Sequence, residues 1–451
     1  MTRGRSGLPS ATLAVLFAGV SAALHLGKLP PAVSALQASL GIGLVEAGFL
    51  LALVQVAGMT LGLLAGLAAD TIGLRRSMLI GLSTLTVASV IGGAVGVADL
   101  AAADAVHALL GLRALEGLGF LMVVMPAPAL IRATAPADRE KSALGWWGAY
   151  MPLGVAAALL AGPFLIGAAG WPAWWWAIAA VSGAAALSVA VCVSADDARV
   201  SPSTAAGAAS WSERSRNTLR STGPWFVAAA FAVYSSQWIA VIGFLPAIYA
   251  DAGVPLQWSA VLTALAAAMN IGGNVLAGRW LQRGVPAGRL LRWGYASMAI
   301  GAMAAFAQLG VGVDTVGLPP VVRYLAVCGF SLAGGMVPAT LFVLAVRVAP
   351  GASTVATTVG LMQQASALLC FTTFVTASFM HMLRTFSVIS EVLVSLGSPS
   401  SEKSISAAFS SSRIRTSSSS NRMPRICVTI SRTSFKALLA VWRTSLISDC
   451  A

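Results

Sequence analysis

The sequence predicts an all-helical membrane protein made of two six-helix bundles, the second lacking its last helix. Three observations predict it. Of 451 residues, 57% are hydrophobic and only 10% charged, with a mean hydropathy of +0.83, whereas a soluble chain carries about 25% charge. Apolar stretches long enough to cross a bilayer recur along the chain, and the cations sit in alternate short loops between them. A chain of this length can bury a large core without shedding charges, so composition excludes an ordinary soluble enzyme. Lipid is the expected solvent for most of the surface.

A hydrocarbon core of about 30 Å needs roughly 20 apolar residues as helix. By that measure eleven spans are expected, near 10–31, 44–66, 77–98, 105–131, 142–167, 172–194, 223–248, 257–279, 291–312, 321–346 and 354–380. Gly, Pro, charge or Trp bounds each of them. The first follows Arg3 and Arg5 as a signal peptide would, but it is too long for a signal core. Lys28, Pro30 and Pro31 also spoil a cleavage site, so a retained helix is expected.

Alternate loops hold Arg3 and Arg5, then Arg75 and Arg76, then Arg132, Arg139 and Lys141, then Arg199, Arg214, Arg216 and Arg220, then Arg279, Arg283, Arg289 and Arg292, then Arg347. The intervening loops carry only acids: Glu46, Asp99, Asp104, Asp251 and Asp314. The positive-inside rule then places the N-terminus and the 195–222 loop in the cytoplasm, in a bacterial-type inner membrane. That polar loop separates a first bundle (1–194) from a second (223–381), followed by a tail (382–451). Each half repeats a short basic segment after its second span. The first runs from Gly66 through Asp70 and Gly73 to Arg75 and Arg76; the second is Gly278-Arg279-Trp280-Leu281-Gln282-Arg283-Gly284. A six-span repeat is the layout of a two-bundle secondary transporter.

The 66–76 segment resembles the signature loop of the major facilitator superfamily, matching it at Gly66, Asp70, Gly73, Arg75 and Arg76 and departing at Ala68, Thr71 and Leu74. Arg113-Ala-Leu-Glu116-Gly117-Leu-Gly119 resembles a second motif of that family, with Glu116 in place of Gln. The drug antiporters of the family carry a dense Gly-Pro motif in helix 5. Here Gly145 and Gly154 fit its outer spacing, but Ala158 and Leu159 replace the inner pair, and Gly162-Pro163 comes too late. From Pro126 and Pro128 to Gly170-Trp171 the chain looks more like the cyanate-permease-like branch.

The resemblance implies that Gly66, Asp70, Gly73, Arg75 and Arg76 form a cytoplasmic gate between the halves. A carboxylate near helix N-termini and the two arginines can pair when the gate shuts; the bland reading has Arg75 and Arg76 only setting topology. Arg113 and Glu116 share a helix face at i,i+3 spacing inside the membrane. There a charge costs at least about 2.5–3.5 kcal/mol, so they face a wet cavity or each other. The functional reading gives Arg113 an anion and Glu116 a coupling proton. The structural one makes them a mutually satisfied pair, and Arg113→Ala is expected to abolish function by leaving Glu116 uncompensated.

The resemblance also implies that helices 1, 4, 7 and 10 line the pathway. Lys28 (with His25 on the same face), Arg113 and Arg323 would then make its outer part positive, favouring an anionic solute, unless Lys28 and Arg323 snorkel to the interface. Tyr234 and Gln237 are the candidate neutral contacts, with interhelical bonding the alternative for them and for Asn270, Asn274, Gln363 and Gln364. Trp171, Trp174, Trp175 and Trp176 read as an interfacial belt.

The five cysteines and three histidines show no ligand spacing, so no metal or cofactor is expected. The net charge of +13 lies in topology loops rather than a phosphate-binding groove, so no nucleic-acid partner is expected. With no Walker loop or nucleophile elbow, the expectation is no enzyme. It is a monomeric transporter of a small, anionic solute, with the bilayer as partner and protons as candidate coupling ion. The alternatives are an efflux antiporter of the same fold or a non-transporting membrane sensor. Residues 382–451 are Ser-rich and basic with one glycine, Gly397. They contain no spanning stretch where a twelfth helix is due, so a disordered or frame-shifted tail is expected.

Overall fold

The computed structural model describes residues 7–194, 210–243, 245, 249, 252–306, 308–309 and 316–372. The expected tail and residues 195–209 of the expected loop lie outside the described residues. The first half holds α1 (Ser10–Gly27), α2 (Val33–Leu40), α3 (Leu44–Ile72), α4 (Leu74–Val95), α5 (Ala102–Val124), α6 (Ala127–Thr134), α7 (Glu140–Gly148) and α8 (Tyr150–Cys192). The second holds α9 (Trp211–Arg220), α10 (Thr222–Gly243), α11 (Leu256–Gln282), α12 (Ala287–Phe306), α13 (Pro320–Gly334), α14 (Met336–Val348) and α15 (355–372). Among the described residues the one strand pairing is a two-residue antiparallel ladder of Gln308–Leu309 with Val316–Gly317.

Nine helical stretches among these residues are long and apolar enough to cross a membrane. Eleven crossings were expected, and two features explain the difference. The stretch Glu140–Cys192 is 53 residues long and breaks at Gly170, where φ is 80° and Pro172 follows, so it serves as two crossings. Ala287–Phe306 carries Arg289 and Arg292 in its first turns, which lowers its hydropathy.

The basic segment 66–76 is not a loop. Helix α3 runs through it to Ile72, and Gly73 alone makes the turn at φ 100°, a value favouring glycine. Arg75 and Arg76 therefore lie in the first turn of α4. The expected polar loop also contains a helix: Ser210 and Glu213 form a reciprocal capping box that starts α9.

Tryptophans 171, 174 and 175 are buried rather than displayed as a belt; Trp176 alone of the four is exposed. Trp171 and Trp175 find space at the end of α4, where Gly96 and Gly92 carry no Cβ, and Trp174 packs beside Gly162. Their indole N–H groups have definite acceptors: Trp171 donates to Ser39 Oγ at 3.0 Å and Trp174 to the Lys28 carbonyl at 3.0 Å.

Two seams join the halves at the basic end. In the first, α3 meets α15 through Gly62, Gly66 and Gly360, close enough that a Cβ on Gly66 would run into the Ala356 carbonyl. In the second, Gly145 of α7 faces Gly278 of α11 backbone to backbone. Small residues that admit such approach are how helices associate in lipid. Gly66→Val is therefore expected to hold the first seam apart. Cross-linking of cysteines introduced at the ends of α3 and α15 should fall several-fold, and unchanged cross-linking would show that the seam tolerates the bulk.

Candidate functional site

Three layers of polar groups run from the acidic end to the basic end. The first is a buried charge cluster. Glu116 on α5 is 2% exposed and Lys28, at the end of α1, is 0% exposed. One carboxylate oxygen of Glu116 accepts from Lys28 Nζ and from His25 Nδ1 at 3.3 Å; the other accepts from Arg113 Nη1 at 2.8 Å.

Each cation or ring is held by a further partner. Lys28 donates to Ser89 Oγ on α4 at 3.0 Å and lies over the Trp175 ring, 4.8 Å from its centroid. Arg113 donates to the His25 carbonyl at 2.5 Å and, through Nε, to the Leu50 carbonyl at 3.0 Å. His25 Nε2 sits 2.7 Å from Ser182 Oγ on α8. Two fixed cations face one carboxylate, so the cluster carries excess positive charge when His25 is neutral. A cavity of about 10 Å³, at the lower limit for one water, borders Lys28, Arg113, Glu116 and Trp175.

The second layer is aromatic and neutral. Trp147 stacks on Tyr150 with centroids 4.3 Å apart and meets Phe342 edge-on at 6.3 Å. Gln363 Nε2 of α15 donates to Tyr150 Oη at 3.4 Å, a bond between the halves. Tyr234 Oη lies 3.1 Å from Asn270 Nδ2, and Asn270 also donates to the Ser331 carbonyl at 3.0 Å. Two buried polar atoms here have no partner among the described residues: the indole N–H of Trp147 and Oδ1 of Asn274. Such orphans in a native core call for a ligand or a water.

The third layer closes the basic end, and it joins charges to helix ends. Asp70 at the end of α3 accepts from the backbone N–H groups of Ala356 at 3.2 Å and Thr357 at 2.7 Å, and from the Thr357 hydroxyl at 2.6 Å. A carboxylate at a helix N-terminus is favoured by both the free N–H groups and the dipole. At two helix C-termini the sign reverses. Arg132 Nη1 donates to the Val346 carbonyl of α14 at 3.2 Å, and Lys141 Nζ to the Leu281 carbonyl of α11 at 3.1 Å. Among the described residues no ion pair crosses between the halves.

The structure places the sequence candidates as follows. His25, Lys28, Arg113 and Glu116 come together. Asp70 reaches the other half, but not through Arg75, which donates to the Val193 and Ala190 carbonyls of its own half at 2.7 and 2.8 Å. Arg76 is exposed on α4. Arg323 donates to the Ala305 carbonyl at the end of α12 at 2.7 Å, so it stabilises a helix C-terminus. Tyr234 joins the neutral layer, whereas Gln237 is half-buried and makes no side-chain hydrogen bond among the described residues.

Sequence reasoning missed Gln282. Its Oε1 accepts from the backbone N–H of Lys141, in the first turn of α7, at 3.0 Å. It stands four residues after Gly278 as Asp70 stands four after Gly66, so each half sends the end of its second span onto the start of a helix in the other. That shared spacing was the available signal. Gln282→Glu should tighten the second seam by about 0.3–1 kcal/mol. Slower amide exchange in the first turn of α7 would register the gain, and faster exchange would refute the equivalence.

Two helical halves packed around buried polar groups and bonded to each other at one end are the layout of a two-bundle membrane transporter. The sequence profile of the Major Facilitator Superfamily matches residues 12–374, and the chain belongs to that family. Its fold is similar to that of XylE, a proton:xylose symporter solved with 6-bromo-6-deoxy-D-glucose. The TM-score is 0.66 at 15% identity, covering 85% of this chain and 90% of that one. A double-tryptophan variant of XylE gives 0.64 at 16% identity, covering 85% and 89%. FucP, a transporter of the same superfamily in the outward conformation, gives 0.60 at 15% identity, covering 80% and 89%. No curated protein matches the chain in sequence. The protein is an integral, multi-pass membrane transporter engaged in secondary transport, not an enzyme.

Proposed function

We propose that the protein moves a small anionic solute together with protons, by alternating access to one pathway between bundles 1–194 and 223–381. The observation that carries this reading is the cluster of two cations on one buried carboxylate. While Glu116 is ionised it holds Lys28 and Arg113. A proton on Glu116 would weaken both bonds and leave two cations for the anion of a solute entering from the acidic end. Loss of that proton would restore the internal pairs and displace the solute. Proton and anion would thus travel in the same direction, and binding both would leave the net charge of the cluster where it stood.

In this reading Trp147 and Asn274 offer the solute one donor and one acceptor, and Asp70, Gln282, Arg132 and Lys141 keep the basic end shut while it loads. That end faces the cytoplasm of a bacterial-type inner membrane, and one chain suffices.

Counterflow of labelled small carboxylates and pseudohalide anions into proteoliposomes tests the proposal. Uptake of one of them, accumulated with an inward pH gradient and lost on adding a protonophore, is the expected result. Accumulation of an uncharged solute instead would overturn the anion assignment. Net uptake of that solute that is indifferent to the gradient would overturn the proton.

A further inference from the structure

Helix α9 is joined to the spanning helix α10 by Ser221 alone. It must therefore lie at the level where α10 enters the bilayer. It is amphipathic: Thr218 is buried and Arg214 and Ser215 are half-buried, while Arg216 and Arg220, four residues apart, are exposed. Trp211 is 48% exposed and Trp225, in the first turn of α10, is 47% exposed. Trp225 is tied back to α9 by its indole N–H, which donates to the Leu219 carbonyl at 2.8 Å. Two exposed cations on a helix at the interface, with the Trp225 indole tied to the same end, are features that bind anionic lipid headgroups.

The inward face of α9 reaches the gate. Arg214 Nη1 donates to the Asp70 backbone carbonyl at 2.5 Å, at the C-terminus of α3. The side chain of that same residue holds the start of α15. One residue thus joins a surface helix to the seam between the halves.

We propose that α9 is a site for anionic lipid headgroups, bound by Arg216 and Arg220 and flanked by Trp225. Lipid held there keeps the α3–α15 seam shut through Arg214. The inference rests on the gate reading above but not on any solute. Headgroups that fix α9 also fix Arg214 against the Asp70 carbonyl, so the carboxylate stays aimed at Ala356 and Thr357. Opening the seam then requires α3 to leave an anchored α9 as well as α15.

The test uses the full chain in nanodiscs of phosphatidylcholine, with or without phosphatidylglycerol. The readout is hydrogen exchange of the Ala356 and Thr357 amides, which requires the seam to open and is independent of transport. Phosphatidylglycerol is expected to slow that exchange at least about threefold. Arg216→Gln with Arg220→Gln should abolish the slowing, and so should Arg214→Gln, which cuts the link and leaves the outward cations in place. Arg283→Gln with Arg289→Gln, the same charge change elsewhere at the basic end, should retain it. Loss of the slowing in both double variants would make the effect general surface charge and overturn the site. Retention in the α9 double variant, or no response in the wild type, would overturn it as well. Retention in Arg214→Gln would overturn the coupling to the gate.

Discussion

Glu116→Gln is expected to be the most damaging single substitution in the protein. It leaves the Lys28 ammonium and the Arg113 guanidinium buried side by side with no counter-charge. Breaking a buried ion pair by removing one partner costs about 3–5 kcal/mol. Arg113→Ala, which the sequence suggests should strand Glu116, is expected to be milder. The structure keeps Lys28 and His25 on the carboxylate, and what is lost is Arg113's hold on the Leu50 and His25 carbonyls. Lys28→Met should be mildest, since it leaves a balanced Arg113–Glu116 pair. The double variant Lys28→Met with Glu116→Gln should recover much of what Glu116→Gln loses. Thermal unfolding midpoints in detergent would give the order, and a Glu116→Gln protein as stable as the wild type would end the charge-balance account.

Asp70→Asn should act on rate rather than on fold or affinity. The carboxylate accepts three hydrogen bonds from the start of α15. An amide loses the charge and points an N–H at other donors. A hydrogen bond to a charged group contributes about 1.5–3 kcal/mol, so the shut state should lose about tenfold to a hundredfold of its population relative to the open one. Transport is expected to slow by a similar factor, because the cycle must pass through the shut state, while the solute affinity of the cluster stays within about twofold. Wild-type turnover in this variant would remove Asp70 from the gate.

The spans, their basic ends and the pairing of Arg113 with Glu116 are legible because burial and periodicity act locally on the sequence. Gly66, Asp70 and Gly73 are legible for a different reason: a turn and a close approach constrain residue type tightly. Lys28 was harder to place. A long cation at a helix end can snorkel, and only the register of α1 against α4, α5 and α8 shows that it turns inward to Ser89 and Glu116. The tryptophans misled for a related reason. An indole near a helix end suits the interface equally well, and what makes room for Trp171 and Trp175 inside is Gly96 and Gly92 on another stretch of chain. The partners of Asp70 were illegible in principle, since two of the three are backbone N–H groups that leave no mark on residue type.

That last property bears on how the gate can change over time. A carboxylate facing an arginine can be exchanged with it, and the reversed pair still attracts. Asp70 faces the beginning of a helix, and no substitution in α15 can make that end repel a carboxylate and welcome a cation. Its bonds ask the second half for a helical start and space beside Gly66, not for a chosen ionic side chain. Apart from Thr357, whose hydroxyl supplies the third bond, residues around Ala356 are therefore free to drift as long as the turn forms. Asp70 has no such freedom, and a search for second-site charge reversals that rescue Asp70→Lys is expected to return none.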